Sequence, residues 1–333
     1  MSVLVTGGAG YIGSALISKL LDDGYHVISV DNLSRGDYEH LRGLEENGRL
    51  ELVVGDICDA NRLGKIINRI EHLDAIFHLA AIPGLKLCRK HPAKAITTNI
   101  YGTYNILKVA EKYNVDKLVF ASSAAVYGDP LEVPVKETHP RRPKNLYGVT
   151  KLAAEHLIAA YHWERDLPTV ILRLGNVYGV GLFTYWDSVV PKFVRQALNG
   201  EPMTIFGTGE QTRDFIHVWD VVEAFKMVLE ADWAAGEVFN VGTGQPISIK
   251  TVAETVAKIV EDATGVEPRV EHLPPMEGDI RTPGFCLSVE KIRERLGFRP
   301  TWNFEAGVRQ LVEYFFRFEG ARAQENISYV GEH

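Results

Sequence analysis

The sequence predicts an α/β fold, a doubly wound parallel sheet with a smaller interleaved α/β lobe. Strand-like and helix-like patterns alternate through the first half of the chain, as right-handed β-α-β units require. Residues 3–5 (VLV) are apolar as in a buried parallel strand, and residues 12, 15, 16 and 20 then place apolar side chains on one helical face. After residue 176 the alternation loosens, which indicates that a second lobe begins there.

A glycine-rich turn joins this first strand to the first helix. Gly8, Gly10 and Gly13 have the GxGxxG spacing at the position where a dinucleotide fingerprint lies. In that fingerprint one glycine permits a tight turn, one lets the backbone approach a pyrophosphate, and one allows helix and strand to pack closely. The free N–H groups of the helix N-terminus then bind the anion. The sequence therefore predicts a Rossmann-type, dinucleotide-binding sheet.

Asp31 indicates which dinucleotide is bound. It follows the second predicted strand, residues 26–30, and lies eighteen residues after Gly13, close to the ~20-residue offset of the acid that binds the adenosine ribose. A carboxylate there accepts a hydrogen bond from the 2'-hydroxyl and repels a 2'-phosphate, so NAD is favoured over NADP. Arg35 is nearby and is a residue type that accepts such a phosphate.

The remaining elements define the predicted domains. Further strands are predicted at residues 50–54, 75–79, 117–121 and 169–174. Helices are predicted near residues 38–46 and at 59–70, 92–113 and 147–165. We expect an NAD-binding domain over 1–175 to which the chain returns at about 214–242, an interleaved substrate-binding lobe over 176–320, and a tail over 321–333. His78 at a strand end is expected to be a packed histidine rather than a catalyst.

Composition limits the class of protein and its partners. The 333 residues are 46% hydrophobic and 24% charged, with a formal net charge of −7, which is typical of a globular protein and argues against a nucleic-acid partner. The sequence shows no signal peptide and no run near the ~18 apolar residues of a membrane span, so we expect a cytoplasmic protein without a membrane partner. Cys58, Cys88 and Cys286 are too scattered for a disulfide framework or a zinc site, and no metal is expected.

Tyr147 and Lys151 form the candidate catalytic pair. Their spacing places a phenol and an ammonium on one face of the same predicted helix. The ammonium is expected to lower the tyrosine pKa from about 10, and a nicotinamide charge to lower it further. Tyr147 would then take a proton from a substrate hydroxyl while a hydride passes to NAD. Ser123, at the carboxyl edge of a strand, is placed to hydrogen-bond the developing oxygen.

Several longer motifs follow one another along the chain. They are TGGAGYIG (6–13), DNLS (31–34), GDI (55–57), HLAA (78–81), Asn99, SSAAVYG (122–128), YGVTK (147–151), RLGNVYG (173–179), TRDFIHV (212–218) and NVG (240–242). In this order they resemble the extended short-chain dehydrogenase/reductases. Within that superfamily the chain is most similar to the NAD-dependent nucleotide-sugar epimerases typified by UDP-glucose 4-epimerase.

The resemblance implies a role for each matching position. Ser123, Tyr147 and Lys151 would be catalytic, and the last two would also contact NAD. The other NAD contacts would be Gly7, Gly10, Tyr11, Ile12, Asp31, Asn32, Ser34, Arg35, Gly36, Asp56, Ile57, Leu79, Ala80, Ala81 and Asn99. The substrate would contact Ser123, Tyr147, Asn176, Val189, Thr204, Phe206, Arg213, Asp279 and Arg281. Family members pair into homodimers through a four-helix bundle, and the helices predicted at 92–113 and 147–165 resemble those that form it.

Three features bear on the nucleotide-sugar site. Arg213 suits a diphosphate because a planar guanidinium binds phosphate in a bidentate manner, and Asp214 beside it is placed to orient it; a surface ion pair is the alternative. Met276 stands where the family often has a diphosphate-binding arginine, and Arg281 is the expected substitute. Residues 181–187 (GLFTYWD) depart from the family pattern, and their aromatic side chains are expected either to line the sugar pocket or to be core.

Ala124 and Ala125 separate the reactions found in this family. The 4,6-dehydratases resemble one another in carrying an Asp-Glu pair here as acid and base, and alanine transfers no proton. The expected reaction is therefore 4-epimerisation of UDP-glucose and UDP-galactose through a 4-keto intermediate with tightly bound NAD. The alternatives are a UDP-N-acetylhexosamine or UDP-uronate 4-epimerase, another nucleotide-sugar 2-epimerase, decarboxylase or reductase, and a non-enzymatic NAD-sensing protein.

Overall fold

The computed structural model describes residues 1–45, 48–274 and 284–319. Its strands are β1 (Ser2–Thr6), β2 (His26–Asp31), β3 (Leu50–Val54), β4 (Ala75–His78), β5 (Lys117–Ser123), β6 (Thr169–Leu174), β7 (Asn176–Tyr178), β8 (Met203–Phe206), β9 (Thr212–His217), β10 (Val238–Val241), β11 (Pro246–Ser248) and β12 (Val270–Leu273).

The helices account for most of the remaining described chain. They are α1 (Tyr11–Asp22), α2 (Glu39–Arg42), α3 (Ala60–Ile67), α4 (Gly84–Lys90), α5 (Pro92–Ile96), α6 (Thr103–Tyr113), α7 (Leu146–Arg165), α8 (Val189–Leu198), α9 (Val218–Glu230), α10 (Ile249–Thr264), α11 (Glu290–Leu296) and α12 (Phe304–Tyr314). A π-helical turn, Thr97–Gly102, joins α5 to α6, so the helix predicted at 92–113 is continuous but locally widened. Within the described ranges, no helix has the length and apolar character needed to cross a membrane.

A seven-stranded parallel sheet forms the centre of the protein, with strand order β10-β6-β5-β4-β1-β2-β3. The chain runs outward from β1 to β3, returns to β4 beside β1, and then runs outward in the other direction. Open α/β sheets bind ligands at the carboxyl edge where the direction reverses. The predicted doubly wound Rossmann-type sheet is confirmed, and its switch point lies between β1 and β4.

Alternating side chains of the central strands enter two separate cores. Val3 and Val5 of β1 pack on the side covered by α1 and α9, while Leu4 packs on the side covered by α3, α6 and α7. All three are fully buried, and each such side chain stabilises the fold by about 1.5–3 kcal/mol relative to an exposed one. Helices therefore cover both faces, which leaves the strand ends as the place for a site.

Residues after β6 build a second, smaller part with its own core. Strands β7 and β9 pair in parallel, β11 joins β9 in antiparallel fashion, and β8 pairs with β12. Helices α8, α10 and α12 pack together around a third apolar cluster. Strand β9 completes this smaller sheet, so within the predicted return at about 214–242 the chain stays in the smaller part through His217. The chain rejoins the main body with α9, which packs on α1, and with β10, which pairs with β6.

Candidate active site

In the loop between β1 and α1 the backbone is packed so closely that only glycine fits at two positions. Gly7 has φ of 77°, donates its N–H to Val30 O at 2.9 Å, and approaches Ala80 so closely that a Cβ would lie 2.7 Å from its nitrogen. A Cβ on Gly13 would lie 2.1 Å from Gly7 O. Helix α1 therefore begins directly against the loop. Because its N-cap, Gly10, has no side chain, the first N–H groups are left for an anion.

A cavity of about 250 Å³ opens at this edge of the sheet. The predicted NAD contacts that line it are Gly7, Gly10, Tyr11, Ile12, Asp31, Asn32, Ser34, Arg35, Gly36, Ile57, Leu79, Ala80, Ala81, Tyr147 and Lys151. The cavity is also lined by Gly13 of the predicted fingerprint and by residues that were not predicted as contacts: Val30, Gly55, Ile82, Pro83, Thr98, Ala121, Ser122, Leu174, Phe183 and Tyr185. Most of these flank a predicted residue and were detectable as neighbours of the motifs; Phe183 and Tyr185 come from a distant segment.

Asp56 and Asn99 were predicted to contact NAD, but neither is among the described residues that line the cavity. Asp56 accepts a hydrogen bond from Asn32 Nδ2 at 3.0 Å and so positions a residue that does line it. Asn99 is buried, accepts from Ile82 N at 2.7 Å, and donates to Thr150 Oγ1 at 2.9 Å. These two side chains support the cavity wall from behind.

Asp31 is fixed at the end of β2 with its carboxylate at the cavity. Its Oδ2 accepts from Ala9 N at 3.1 Å and its Oδ1 from Leu33 N at 2.8 Å. Burial raises the pKa of this carboxyl, and the backbone hydrogen bonds oppose that rise. The acid therefore lies where the ribose of a bound dinucleotide is expected, already oriented by the backbone.

Ser123, Tyr147 and Lys151 come together where β5 ends and α7 begins. Asn145 caps α7 by accepting from Gly148 N at 2.9 Å, which sets the position of Tyr147 in the first turn. The Ser123 side chain lies close enough to the Tyr147 phenol to lower its pKa. Lys151 is buried and donates to Ala121 O at 2.7 Å, so its ammonium is anchored to the strand that carries Ser123.

The pKa values of this set differ from the sequence-based expectation. Burial raises the pKa of Tyr147 to about 12, and the Ser123 side chain only partly offsets that rise. Burial also lowers the pKa of Lys151 to about 8, against the opposing charges of Cys88 and Glu155. The expectation that the ammonium lowers the tyrosine pKa is not met in the protein as described, because burial dominates the pKa of Tyr147 and the Lys151 ammonium donates to Ala121 O.

Apart from Ser123 and Tyr147, the predicted substrate residues that the structure describes lie on the smaller part of the protein, and none of those lines the cavity. Asn176 begins β7, Val189 begins α8, Thr204 and Phe206 lie on β8, and Arg213 lies on β9. Thr204 Oγ1 accepts from Lys192 Nζ at 3.0 Å, and Arg213 Nη1 donates to Thr212 O at 2.7 Å. Asp279 and Arg281, like Met276, fall outside the described residues.

Asp214 does not orient Arg213 as predicted, because successive residues of a strand point to opposite faces. Its carboxylate is fully buried and accepts from Thr243 N at 2.8 Å, Gly244 N at 3.1 Å and Leu287 N at 3.2 Å. Asp214 thus ties the turn after β10 to the segment that precedes α11.

His78 is a structural residue, as predicted. The imidazole is fully buried between Thr6 Oγ1 at 2.8 Å and Thr103 Oγ1 at 2.9 Å. Burial lowers its pKa to about 3, so it stays neutral at physiological pH. Across residues 1–45, 48–274 and 284–319, no group of three or more His, Cys, Asp or Glu side chains is arranged to hold a metal ion.

A dinucleotide cradle whose wall carries Tyr147 and Lys151, with Ser123 at the end of the adjoining strand β5, defines the class of protein as an extended short-chain dehydrogenase/reductase. The family model described as "NAD dependent epimerase/dehydratase family" matches residues 3–242. The chain therefore belongs to the NAD-dependent epimerase/dehydratase family, and NAD is its cofactor. The residues present fit this cofactor, since the glycine loop leaves backbone N–H groups for the pyrophosphate and Asp31 offers a carboxylate to the ribose.

Some relatives are epimerases and others are dehydratases, and both groups align with almost the whole chain. The putative UDP-glucose 4-epimerase of Methanocaldococcus jannaschii is 34% identical over 314 residues, covering 94% of this chain and 97% of its own. The dTDP-D-glucose 4,6-dehydratase of Bos taurus is 32% identical over 318 residues, covering 94% and 88%. A structure of Thermotoga maritima UDP-glucose 4-epimerase with UDP-glucose matches with a TM-score of 0.86 at 35% identity, covering 95% of this chain and 99% of that one. Family membership thus leaves two reactions to be separated.

Proposed function

We propose that the protein is a UDP-sugar 4-epimerase, with UDP-glucose and UDP-galactose as its principal pair. The observation that supports this choice is the composition of the turn after Ser123. That turn is a short 3-10 helix, Ala124–Val126, whose side chains are all apolar. Removal of water from a sugar needs an acid and a base, and alanine supplies neither.

The catalytic roles follow from the contacts of the three side chains. Bound NAD would supply the hydride acceptor for the sugar carbon and, after reduction, the hydride donor to the opposite face of the 4-keto sugar. Because burial raises the pKa of Tyr147, the phenol would need the positive charge of bound nicotinamide to become a base; it would then accept the proton of the sugar hydroxyl and later return it, while Ser123 would donate to the sugar oxygen. Lys151 holds an ammonium near the phenol through its bond to Ala121 O.

The substrate is proposed to lie across the two parts of the protein. The central sheet, including β10, together with α9 would form the NAD-binding domain, and the part built from β7–β9, β11, β12, α8, α10 and α12 would bind the nucleotide sugar. In this arrangement Asn176 and Arg213 contact the diphosphate, while Thr204 and Phe206 face the base. Val189 contributes from the start of α8, and Asp279 and Arg281 are proposed as further contacts.

The direct test is incubation of NAD-loaded protein with UDP-galactose. We expect UDP-glucose to accumulate until equilibrium, with no net formation of NADH. Tyr147→Phe should keep its fold and bound NAD but lose turnover by about 10²–10⁴-fold, the range of a positioned acid–base group. Release of a 4-keto-6-deoxy product from dTDP-glucose, in place of epimerisation, would overturn the proposal.

A substrate panel separates the alternatives. Turnover of UDP-N-acetylhexosamines or of UDP-uronates, without turnover of UDP-galactose, would keep the 4-epimerase reaction and change the sugar. Consumption of reduced cofactor in proportion to product would indicate a reductase, loss of CO2 a decarboxylase, and inversion at the adjacent carbon a 2-epimerase. Wild-type protein that binds NAD and changes none of these sugars would be an NAD-sensing protein.

We also propose that two copies pair through α6 and α7. Aromatic side chains of α6, α7 and the π-helical turn before α6 form one surface, on which Tyr101 and Tyr104 stack at 6.1 Å and Tyr104 meets Tyr161 at 6.5 Å. Val149 on α7 is 45% exposed. A homodimer would bury these groups. Light scattering should give twice the chain mass for the wild type, and Tyr101→Asp with Val149→Asp should give the monomer mass.

A further inference from the structure

The segment that leads from β7 to α8 is braced where it begins. Tyr11 Oη donates to Gly179 O at 2.7 Å, and Trp219 Nε1 donates to Val180 O at 3.0 Å. Val180 N in turn donates to Gln310 Oε1 at 3.2 Å. Three side chains from α1, α9 and α12 therefore fix the direction in which residues 181–187 leave the smaller part.

The same segment is braced where it ends. Ser188 Oγ donates to Tyr185 O at 3.2 Å just before α8 begins. The Trp186 ring packs against Tyr314 and Phe315, with centroids 6.3 and 5.8 Å apart. Because Trp186 is held against the end of α12, the side chain before it, Tyr185, is left to face the dinucleotide cavity.

Two aromatic side chains of this segment meet the stretch that follows Asp31. The Arg35 guanidinium carbon lies 5.0 Å from the centre of the Tyr185 ring, within the range of a cation–π contact. The rings of Phe183 and His40 lie 5.4 Å apart. Phe183, Tyr185 and Arg35 all line the cavity. The aromatic side chains at 183 and 185 thus lie at the adenosine end of the dinucleotide cavity instead of in a sugar pocket.

We propose that Tyr185 is a cofactor-retaining residue: its ring, stacked on Arg35 and flanked by Phe183, closes the adenosine end of the cavity so that NAD leaves only when this contact opens. The contact joins two stretches far apart in the chain, and each is anchored independently. The inference depends on NAD as cofactor and on no particular sugar, so it survives a failure of the epimerase assay.

The rate at which NAD dissociates tests this role without any turnover. Protein loaded with NAD is mixed with excess NAD analogue, and release is followed by the fluorescence of the bound analogue. We expect Tyr185→Ala to release NAD about tenfold faster, the order expected for loss of one cation–π contact. Tyr185→Phe keeps the ring and should match the wild type. Trp163→Ala removes an exposed aromatic side chain of α7 and serves as the matched control.

A double-mutant cycle with Arg35→Ala identifies the contact itself. If Tyr185 acts through Arg35, Tyr185→Ala should add little to NAD release in the Arg35→Ala background. A tenfold faster NAD release caused by Tyr185→Ala in both backgrounds would overturn the proposed contact. A wild-type release rate for Tyr185→Ala, or a faster release rate for Tyr185→Phe, would also overturn it. Because the Tyr185–Arg35 contact is present without NAD, the unfolding midpoints of NAD-free Tyr185→Ala and Arg35→Ala should fall slightly and to a similar extent, and a much larger fall confined to Tyr185→Ala would assign the effect to misfolding and overturn the proposal.

Discussion

Arg173 of β6 and Glu155 of α7 form a buried, bidentate ion pair directly behind the catalytic residues. Arg173 Nε and Nη2 donate to the two carboxylate oxygens at 3.0 and 2.7 Å, and the two residues are only 2% and 1% exposed. Ser122 Oγ donates to the same carboxylate at 2.5 Å. The pair therefore joins α7, which carries Tyr147, to β6, and the Ser122 hydrogen bond joins the same carboxylate to β5, which carries Ser123.

Removal of one member of this pair should be far more harmful than removal of an exposed pair. In Glu155→Ala the Arg173 charge stays buried without its partner, and we expect the free energy of unfolding to fall by about 3–5 kcal/mol. Urea denaturation measures this change. Lys19→Ala removes the partner of Asp23 in a half-exposed pair at 3.2 Å and should leave stability nearly unchanged. Similar losses in the two variants would contradict this account.

The glycine loop gives a second prediction with a matched control. A Cβ at position 13 would lie 2.1 Å from Gly7 O, so Gly13→Ala should displace the loop, destabilise the fold by about 1–3 kcal/mol and abolish NAD binding. Gly43 has φ of −64° and open space around it, so Gly43→Ala should stabilise the fold by about 0.4–1 kcal/mol. Thermal unfolding and NAD titration of both variants check this, and normal NAD binding by Gly13→Ala would contradict it.

Lys151 should make stability depend on pH. Burial lowers its pKa from 10.5 to about 8, so between these pH values the unfolded chain binds more protons at this side chain than the folded protein does. The contribution of Lys151 to the free energy of unfolding is therefore full above pH 10.5 and is lost as the pH falls through 8. Urea denaturation gives the free energy of unfolding of the NAD-free wild type and of Lys151→Met. We expect the wild-type value minus the Lys151→Met value to rise from pH 8 to pH 10.5. A difference that does not change with pH would contradict the lowered pKa of Lys151.

Thr184 offers a test of an unsatisfied polar group. Its hydroxyl is buried and has no hydrogen-bond partner among the described residues. Thr184→Val should therefore raise the free energy of unfolding by about 1 kcal/mol, because an unpaired buried hydroxyl opposes folding. Thr103→Val is the contrasting variant, since Thr103 Oγ1 contacts His78 Nε2 at 2.9 Å and donates to Asn99 O at 2.7 Å. It should destabilise the protein by about 1–3 kcal/mol.

Features that depend on local pattern were predictable from the sequence. The passage from β1 through the glycine loop into α1 is specified within some twenty residues, and the cavity forms where that passage predicts. The spacing of Tyr147 and Lys151 on α7 likewise places both at the cavity wall. Short-range periodicity is sufficient in both cases, because one element carries all the residues concerned.

Features that depend on distant partners were not predictable. The pattern of residues 212–217 suits either sheet, and only the pairing with β7 and β11 assigns this strand to the smaller one. Tyr185 meets Arg35 from a remote segment, and no periodicity signals that contact. The raised pKa of Tyr147 follows from the surrounding protein that buries it, whereas the spacing to Lys151 indicated only a nearby charge.

The late arrival of β10 has a consequence for synthesis on the ribosome. Until residues 238–241 emerge, β6 is an open edge of the sheet, and the Tyr127 hydroxyl lacks its bond to Asn240 Oδ1 at 2.6 Å. Glu137 Oε1 likewise lacks the Asn240 N–H at 2.9 Å. An unfinished edge of this kind invites pairing with other nascent chains. Chaperone demand during translation should therefore peak between the synthesis of β6 and that of β10 and fall once Val241 has left the exit tunnel.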